Sequence, residues 1–260
     1  KANRSEPPDE LIPQFALIRE ATRACCVSCV ELPGYEADDL IATYAKQAVA
    51  RGAQVTIVSA DKDLMQLVGD GITMLDPIKG RMIGPKEVEE RFGVGPDKVV
   101  DVQALAGDSI DNVPGVPGIG VKTAAELIRT YGDLDNLLAH ATEIKQPKRR
   151  ESLIAHADAA RLSRELVRLK DDVPVVEPLE SFARREPDHE RLLAFLRENQ
   201  FRSLIKRYES RARIVADAGE GDATAGTAAP AARGRKAAST SAAAEHVLVQ
   251  DEGALETWIE

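Results

Sequence analysis

Residues 36–63 read EADDLIATYAKQAVARGAQVTIVSADKD, and this stretch decides the predicted fold class. Apolar residues recur at helical spacing over Glu36–Ala50, and the predicted helix ends before Gly52. Residues 54–59 are rich in β-branched side chains, which is typical of a buried strand. A short strand is also predicted upstream at Cys25–Leu32, so strand, helix and strand form a βαβ unit in the parallel sheet of an α/β fold. Because only two or three strands are visible, we expect the sheet to be cut short at its N-terminal side.

The rest of the chain is predicted to be mainly helical. One amphipathic helix precedes the α/β unit, and from Pro85 onward short helices are separated by glycine and proline. We expect these later helices to form a second module that packs after the sheet. The predicted helices outside the α/β unit span Ile12–Ala24, Lys86–Phe92, Val99–Ala106, Thr123–Tyr131, Leu134–Leu138, Ser152–Leu169 and Glu190–Arg207.

The charge of the chain is unevenly distributed over its 260 residues. The net charge is −9, to which residues 1–119 contribute −7, residues 120–213 contribute +3 and residues 214–260 contribute −5. An acidic part joined to a basic one suggests a protein that brings divalent metal to a polyanion. Aromatic residues make up only 4% of the chain, which argues against binding by rows of stacked rings.

Membrane and disulfide-rich proteins are not indicated. No apolar run approaches the roughly 18 residues that span a bilayer, and the chain does not open like a signal peptide, so we expect a cytoplasmic protein with no membrane partner. Cys25, Cys26 and Cys29 are too few and too clustered for a disulfide framework. Cys26 and Cys29 have the spacing of a metal-ligand pair, but without a second pair we expect small buried thiols on a strand.

We predict four segments along the chain. Residues 1–105 form the C-terminal part of the α/β core, and residues 106–209 form the helical module. Residues 210–244 are dominated by alanine and glycine, a composition that cannot bury a core and is typical of a disordered linker. Residues 245–260 combine the strand-forming stretch HVLVQ with the start of a helix, so we expect them to open a further, incomplete domain.

Three acidic motifs contain the candidate metal-binding and catalytic residues. GYEADD ending at Asp39 opens the helix of the α/β unit, SADKD ending at Asp63 follows its strand, and GDSIDN ending at Asn112 enters a glycine-rich turn. Taken alone, each motif also suits an ordinary structural role, as a helix N-terminus, a surface loop or a tight turn. Taken together, we expect the motifs to converge, because open α/β sheets bind ligands at the carboxyl ends of their strands.

Carboxylates gathered in one crevice repel each other unless cations lie between them. Oxygen ligands without histidine or cysteine suit Mg²⁺ or Mn²⁺ rather than Zn²⁺. Two such ions can activate a water and stabilise the leaving oxygen of a phosphodiester. The candidate metal ligands are Glu36, Asp38, Asp39, Asp61, Asp63, Asp108 and Asp111.

Residues 113–125, VPGVPGIGVKTAA, are predicted to form a phosphate-binding turn. The glycines let the backbone approach a ligand closely, and the helix that follows directs free N–H groups and a lysine toward an anion. A dinucleotide-binding loop is excluded, because the preceding element is helical and no βαβ unit follows. A packing joint between two helices is the alternative, but the basic module favours contact with a duplex backbone. The candidate DNA-binding residues are Gly115, Gly118, Gly120, Lys122 and Thr123.

In their order along the chain, GYEADD, SADKDL and GDSIDNVPGVPGIGVKTA resemble motifs of the 5′-nuclease domains of bacterial DNA polymerase I, members of the flap endonuclease family. The resemblance covers residues 1–209. It implies a truncated Rossmann-like, PIN-type nuclease core with a parallel sheet, followed by a helix-three-turn-helix DNA-binding module. Beyond it, the segment from residue 210 onward resembles the polymerase linker and the start of a 3′–5′ exonuclease domain.

The resemblance also implies a site and a substrate. Two divalent ions held by the seven acids would cut DNA or RNA phosphodiesters at 5′ flaps, nicks and primer–template duplexes, during primer removal and repair. Asp38, Asp39 and Asp61 would face the scissile phosphate, and Lys1 and Arg4 resemble a cationic pair that draws in the 5′ end. The glycine turn resembles a hairpin that holds K⁺ through backbone carbonyls. The protein would be a monomer in the bacterial cytoplasm, associated with the nucleoid.

Some parts of the family pattern are missing from these residues. A first strand and a second strand, each with a metal-binding aspartate, would precede Lys1, and the proofreading and polymerase regions would follow Glu260. We therefore expect the parent protein to be a polymerase as well, and this chain to bind DNA while cutting it weakly or not at all. The alternatives are a non-catalytic duplex-binding module and a phosphatase with Asp61 as its nucleophile, which would leave Asp108 and Asp111 unexplained.

Overall fold

A three-stranded sheet and the helices beside it carry the acidic and glycine-rich motifs in the computed structural model, which describes residues 6–209. The strands are β1 (Val55–Val58), β2 (Ile72–Asp76) and β3 (Arg81–Ile83). The helices are α1 (Ile12–Ala24), α2 (Ala37–Ala50), α3 (Pro85–Phe92), α4 (Val99–Ala106), α5 (Val121–Tyr131), α6 (Leu134–Ala139), α7 (Pro147–Ala155), α8 (Ala157–Val167) and α9 (His189–Glu198).

The sheet has the strand order β1-β2-β3 and is mixed rather than purely parallel. β1 and β2 run parallel, with Ile57 opposite Met74, and β2 and β3 run antiparallel, with Leu75 opposite Met82. The parallel prediction is therefore right for the first pair only. β2 and β3 are not among the predicted strands, although β2 buries every second residue as a half-covered strand does.

The strand predicted at Cys25–Leu32 is wrong. The chain leaves α1 in a turn, Cys26 has a φ of +53°, and residues 27–32 have no regular secondary structure. A strand needs a hydrogen-bonded neighbour, and β1 pairs only with β2, so the predicted βαβ unit does not form within residues 6–209. The three cysteines are consequently half-buried on an irregular segment instead of lying buried on a strand.

Most helix predictions are confirmed, and two are wrong in length. α1 and α4 have the predicted bounds, and α2 begins one residue after its N-cap, Glu36. The helix predicted over Ser152–Leu169 is two helices, α7 and α8, separated at His156. The helix predicted over Glu190–Arg207 is interrupted after α9, because Gln200 has a φ of +59°, and helical residues resume at 202–209.

One hydrophobic core joins the sheet to the helices that follow it. Met74 of β2, Leu105 of α4, Ile128 of α5 and Leu153 of α7 are all completely buried and belong to the same cluster. α4 packs against both α5 and α8, so the end of α4 is held in place where the third acidic motif begins. Among the described helices, none combines the length and apolar character needed to cross a bilayer.

Three predictions fall on residues that the structure does not describe. These are the roles of Lys1 and Arg4, the linker at 210–244 and the further domain at 245–260.

Candidate functional site

The first acidic motif forms the N-terminus of α2. Glu36 is the N-cap, and its backbone N–H donates to Oδ2 of Asp39 at 3.4 Å in a capping box. Oδ1 of Asp39 accepts a hydrogen bond from the backbone N–H of Lys170 at 2.8 Å. Asp39 therefore caps the N-terminus of α2, as its position suggests, and its other oxygen connects α2 to the segment that follows α8.

The second acidic motif follows β1 directly. The N–H of Asp61 donates to Ser59 Oγ at 3.0 Å, and Oδ1 of Asp61 accepts from the N–H of Asp63 at 3.0 Å. Asp61 is exposed, whereas Asp63 is half-buried and accepts a hydrogen bond from the Gln103 side-chain amide of α4. Burial raises the pKa of Asp63 above its usual range, although the Gln103 hydrogen bond opposes that shift.

The third acidic motif joins α4 to the glycine-rich turn. Asp108 and Val113 exchange two backbone hydrogen bonds, of 2.9 and 2.7 Å, which close the loop that contains Asp111. The Asp108 carboxylate accepts from the N–H groups of Ile110 and Asp111 through Oδ1, and it pairs with the Lys62 ammonium group through Oδ2. Burial raises the pKa of Asp108, but Lys62 and the two N–H groups outweigh that effect and leave the pKa lowered.

The three motifs converge on one cleft of about 430 Å³, which we call the acidic cleft. Six of the seven predicted metal ligands line it. The seventh, Asp61, is not part of the lining but is hydrogen-bonded to Asp63, which is. Glu165 of α8 also lines the cleft and was missed, because one acid on an amphipathic helix carries no distinguishing sequence signal. The acids that line the acidic cleft are Glu36, Asp38, Asp39, Asp63, Asp108, Asp111 and Glu165.

The carboxylates share the acidic cleft but do not form a closed metal cage. Within residues 6–209, no group of three or more histidine, cysteine, aspartate or glutamate side chains is arranged to hold a metal ion. Protein donors occupy several of the oxygens instead: Gln103 bonds Asp63, Lys62 bonds Asp108, and a backbone N–H bonds Asp39. All-oxygen donors nevertheless suit Mg²⁺ or Mn²⁺, so the residues fit such an ion in their chemistry.

A larger cavity, of about 640 Å³, lies between α2 and the free edge of β1. Its lining includes Leu40 and Tyr44 of α2, Val58 of β1 and Phe182, and it contains no charged side chain. None of the predicted metal ligands lines this larger cavity, whereas six of them line the acidic cleft.

The glycine-rich turn is packed against the end of α4. Gly115 has a φ of +62°, and a Cβ at this position would lie 2.5 Å from the backbone N of Gly107. The buried hydroxyl of Ser163 accepts from the Gly115 N–H at 2.9 Å and donates to the Ala159 carbonyl at 2.7 Å. Ser152 donates to the Pro117 carbonyl at 2.7 Å, so α7 and α8 both hold the turn.

The N-terminus of α5 completes the predicted phosphate-binding turn. Gly120 is the N-cap with a φ of −93°, and a Cβ added there would meet nothing within 4 Å. The first turn contains no acid, and Lys122 in it is exposed, with no ion pair to another described residue. Gly118 has a φ of +81° and also faces open space, and Thr123 is half-buried. The free N–H groups and a positive charge therefore face outward, as an anion-binding helix end requires.

Comparison with known proteins agrees with this architecture. Residues 1–93 match the 5′–3′ exonuclease N-terminal resolvase-like domain, and residues 94–190 match the 5′–3′ exonuclease C-terminal SAM fold. DNA polymerase I of Rhizobium leguminosarum is 56% identical over 225 residues, which are 86% of this chain and 22% of that protein. The thermostable DNA polymerase I of Thermus thermophilus is 43% identical over 208 residues, which are 80% of this chain and 25% of that protein. The chain thus spans about a quarter of the length of these relatives.

A solved structure shares the fold. The bacteriophage T5 flap endonuclease, in a pseudo-enzyme-product complex with DNA and metal ions, superposes with a TM-score of 0.57 at 22% identity, over 75% of this chain and 72% of that one. The two matching family models and the polymerase relatives confirm the family resemblance of the three motifs. The chain belongs to the 5′–3′ exonuclease family and has a flap endonuclease-like fold, in which a PIN-type α/β part is followed by a helical SAM-like part.

Proposed function

We propose that the chain is the 5′–3′ exonuclease and flap endonuclease part of a bacterial DNA polymerase I, and that it hydrolyses phosphodiesters of DNA and RNA primers. The observation that supports this proposal most strongly is the convergence of six predicted acids in one cleft, beside the glycine-rich turn that leads into α5. The related T5 flap endonuclease is described with DNA and metal ions, which agrees with the proposed substrate class. The parent protein would in addition polymerise DNA, and the segments at 1–105 and 106–209 would be its nuclease core and DNA-binding module.

The acids would hold two divalent ions, Mg²⁺ or Mn²⁺. When bound, such ions activate a water and stabilise the leaving oxygen of a phosphodiester. Asp38 and Asp39, at the N-terminus of α2, and Asp61, at the end of β1, would face the scissile phosphate. The half-buried or buried acids Asp63 and Asp108 would be held in position by α4 and by the loop that closes on Val113. Glu36 and Asp111 would complete the ligand set, and Lys1 and Arg4 would attract the 5′ end.

The turn and the start of α5 would bind the duplex next to the cleft. Gly115, Gly118 and Gly120 keep the backbone accessible, and the N–H groups of residues 121–123 with the Lys122 charge would contact phosphate. Carbonyls of the turn would hold a K⁺ ion that binds the same backbone. The substrates would be 5′ flaps, nicks and primer–template junctions, cut by a monomer.

A non-catalytic duplex-binding module is the second candidate. It is favoured by one observation: the carboxylates among residues 6–209 do not form a group arranged to hold a metal ion. In that case the acids would serve the fold, as Asp39 does at the N-terminus of α2.

Cleavage of a 5′-labelled flap substrate under single-turnover conditions separates these two functions. We expect slow cleavage with Mg²⁺ or Mn²⁺ near the junction, none with EDTA, and loss of cleavage in Asp63→Asn and Asp108→Asn. Asp97→Asn is the matched control, because Asp97 lies on the surface and pairs only loosely with Lys98, at 3.8 Å. Junction binding with no cleavage in any metal would favour the binding module, and cleavage that survives both cleft variants would contradict the proposed site.

A further inference from the structure

Lys62 lies between two predicted metal ligands, Asp61 and Asp63, and pairs with a third across 46 residues of sequence. Its ammonium group contacts Oδ2 of Asp108. The Asp108 side chain is only 8% exposed and that of Lys62 is 32% exposed, so this ion pair is partly removed from water. A pair in such a place is stronger than a surface pair, because the local dielectric constant is lower.

The geometry of Asp108 leaves one oxygen for a cation. Oδ1 accepts hydrogen bonds from the N–H groups of Ile110 and Asp111, at 2.8 and 3.3 Å, and both bonds lie within the loop that Asp108 and Val113 close. Oδ2 forms the ion pair with Lys62. A divalent ion bound at Oδ2 would compete with the Lys62 ammonium group, because two cations at one carboxylate oxygen repel each other.

Among the described residues, the lining of the acidic cleft includes seven acids and two basic residues, Arg168 and Lys170, while Lys62 contacts one of these acids, Asp108. The ammonium group of Lys170 pairs with Asp172 at 2.7 Å, and Asp172 is not part of the cleft lining. Like charges this close destabilise the fold unless a cation is present, so the charge of Lys62 matters most when no metal is bound.

We propose that Lys62 is a positioning residue, an internal counter-ion that offsets the charge of Asp108 in the metal-free protein and is displaced from it when a divalent ion binds. This inference rests on the proposed metal-dependent function. It explains how Asp108 keeps its place among the other carboxylates of the acidic cleft when no metal ion is bound. It also predicts that metal binding works against an existing ion pair, so that removal of Lys62 makes the acids more available.

Mn²⁺ binding to the full 260-residue chain, measured by calorimetry, is the first test. Lys62→Met should bind Mn²⁺ about ten-fold more tightly than the unmodified chain, because an opposing charge is removed from the site. It should also melt at a lower temperature in EDTA and regain its stability with Mg²⁺. Lys62→Arg keeps the charge and should stay close to the unmodified chain in both measurements. Lys98→Met, at a lysine 39% exposed that pairs with Asp97, is the matched control and should change neither.

The second test uses the unmodified chain and does not depend on whether a variant folds. Reductive methylation followed by peptide mass spectrometry reports how accessible each lysine amine is. Lys62 should react several-fold faster with saturating Mg²⁺ than in EDTA, because the ion frees its amine, whereas Lys98 should react at the same rate in both.

Two results separate a failure of this inference from a failure of the proposed function. If Mn²⁺ binding depends on Asp108, but Lys62→Met binds Mn²⁺ no more tightly and Lys62 labelling is unchanged by Mg²⁺, then the counter-ion role is wrong while the metal site remains. If Asp108→Asn leaves Mn²⁺ binding unchanged, then the metal site itself is wrong, and the counter-ion role fails with it.

Discussion

Replacement of Ser163 by alanine tests how the glycine-rich turn is held. Ser163 is completely buried, and its hydroxyl is the acceptor for the Gly115 N–H at 2.9 Å. Without it, that N–H is buried without a partner, since water cannot reach it. The turn has little room to shift toward Gly107 and relieve the loss, because even a Cβ added at Gly115 would lie 2.5 Å from the Gly107 backbone nitrogen. A buried donor left unsatisfied costs about 1–3 kcal/mol, so we expect Ser163→Ala to lose about 2 kcal/mol of unfolding free energy.

Urea unfolding followed by circular dichroism at 222 nm measures this loss, because helices make up most of the regular structure. Ser152→Ala is the matched control: its hydroxyl donates to the Pro117 carbonyl at 2.7 Å, but Ser152 is only half-buried and water can replace it. We expect this control to lose less than about 0.5 kcal/mol, as is usual for surface substitutions. Equal stability of Ser163→Ala and the unmodified chain would refute the argument that α8 fixes the turn through this hydrogen bond.

Two further substitutions test the turn and the pH dependence of stability. Gly115→Ala should destabilise the fold by more than about 2 kcal/mol, because the new Cβ would lie 2.5 Å from the Gly107 backbone nitrogen. A Cβ at position 120 meets open space, so Gly120→Ala should keep its stability. We expect Gly120→Ala to bind duplex DNA more weakly, however. Thermal melting with a gel shift checks both, and a DNA affinity unchanged in Gly120→Ala would argue against close phosphate contact there. Burial raises the pKa of Asp101, so the folded state takes up a proton more readily than the unfolded chain, and this group adds stability as the pH falls through its folded-state pKa. Asp101→Asn should therefore be more stable than the unmodified chain at pH 7, and urea titrations should show that this advantage shrinks toward pH 4. If the difference in unfolding free energy between the two proteins does not vary with pH, burial of the Asp101 carboxyl is not its cause.

Local patterns in the sequence predict much of this molecule. The bounds of α1 and α4 follow from apolar periodicity, and the start of α5 follows from the glycine turn before it. The convergence of the acids follows from the rule that ligands bind beyond the carboxyl ends of parallel strands, which β1 obeys.

What could not be predicted depends on partners distant in sequence. The stretch Cys25–Leu32 has strand-forming residues, but a strand forms only beside a neighbour, and among residues 6–209 β1 pairs with β2 alone. Lys62 meets Asp108 across 46 residues and Ser163 meets Gly115 across 48, and neither contact leaves a pattern in either local stretch. Glu165 joins the cleft only because α8 packs against α4.

The measurement that tests the central claim most directly is a gel shift of the full chain with a 5′-flapped duplex and with a blunt duplex, in Ca²⁺ so that binding is seen without cutting. We expect tighter binding to the flapped duplex, weakened about ten-fold by Lys122→Glu because a phosphate contact becomes a repulsion. Lys86→Glu, at an exposed lysine on α3, should have little effect. Equal affinity for both duplexes, or a Lys122→Glu variant that binds as the unmodified chain does, would contradict a nuclease that recognises the junction through this turn.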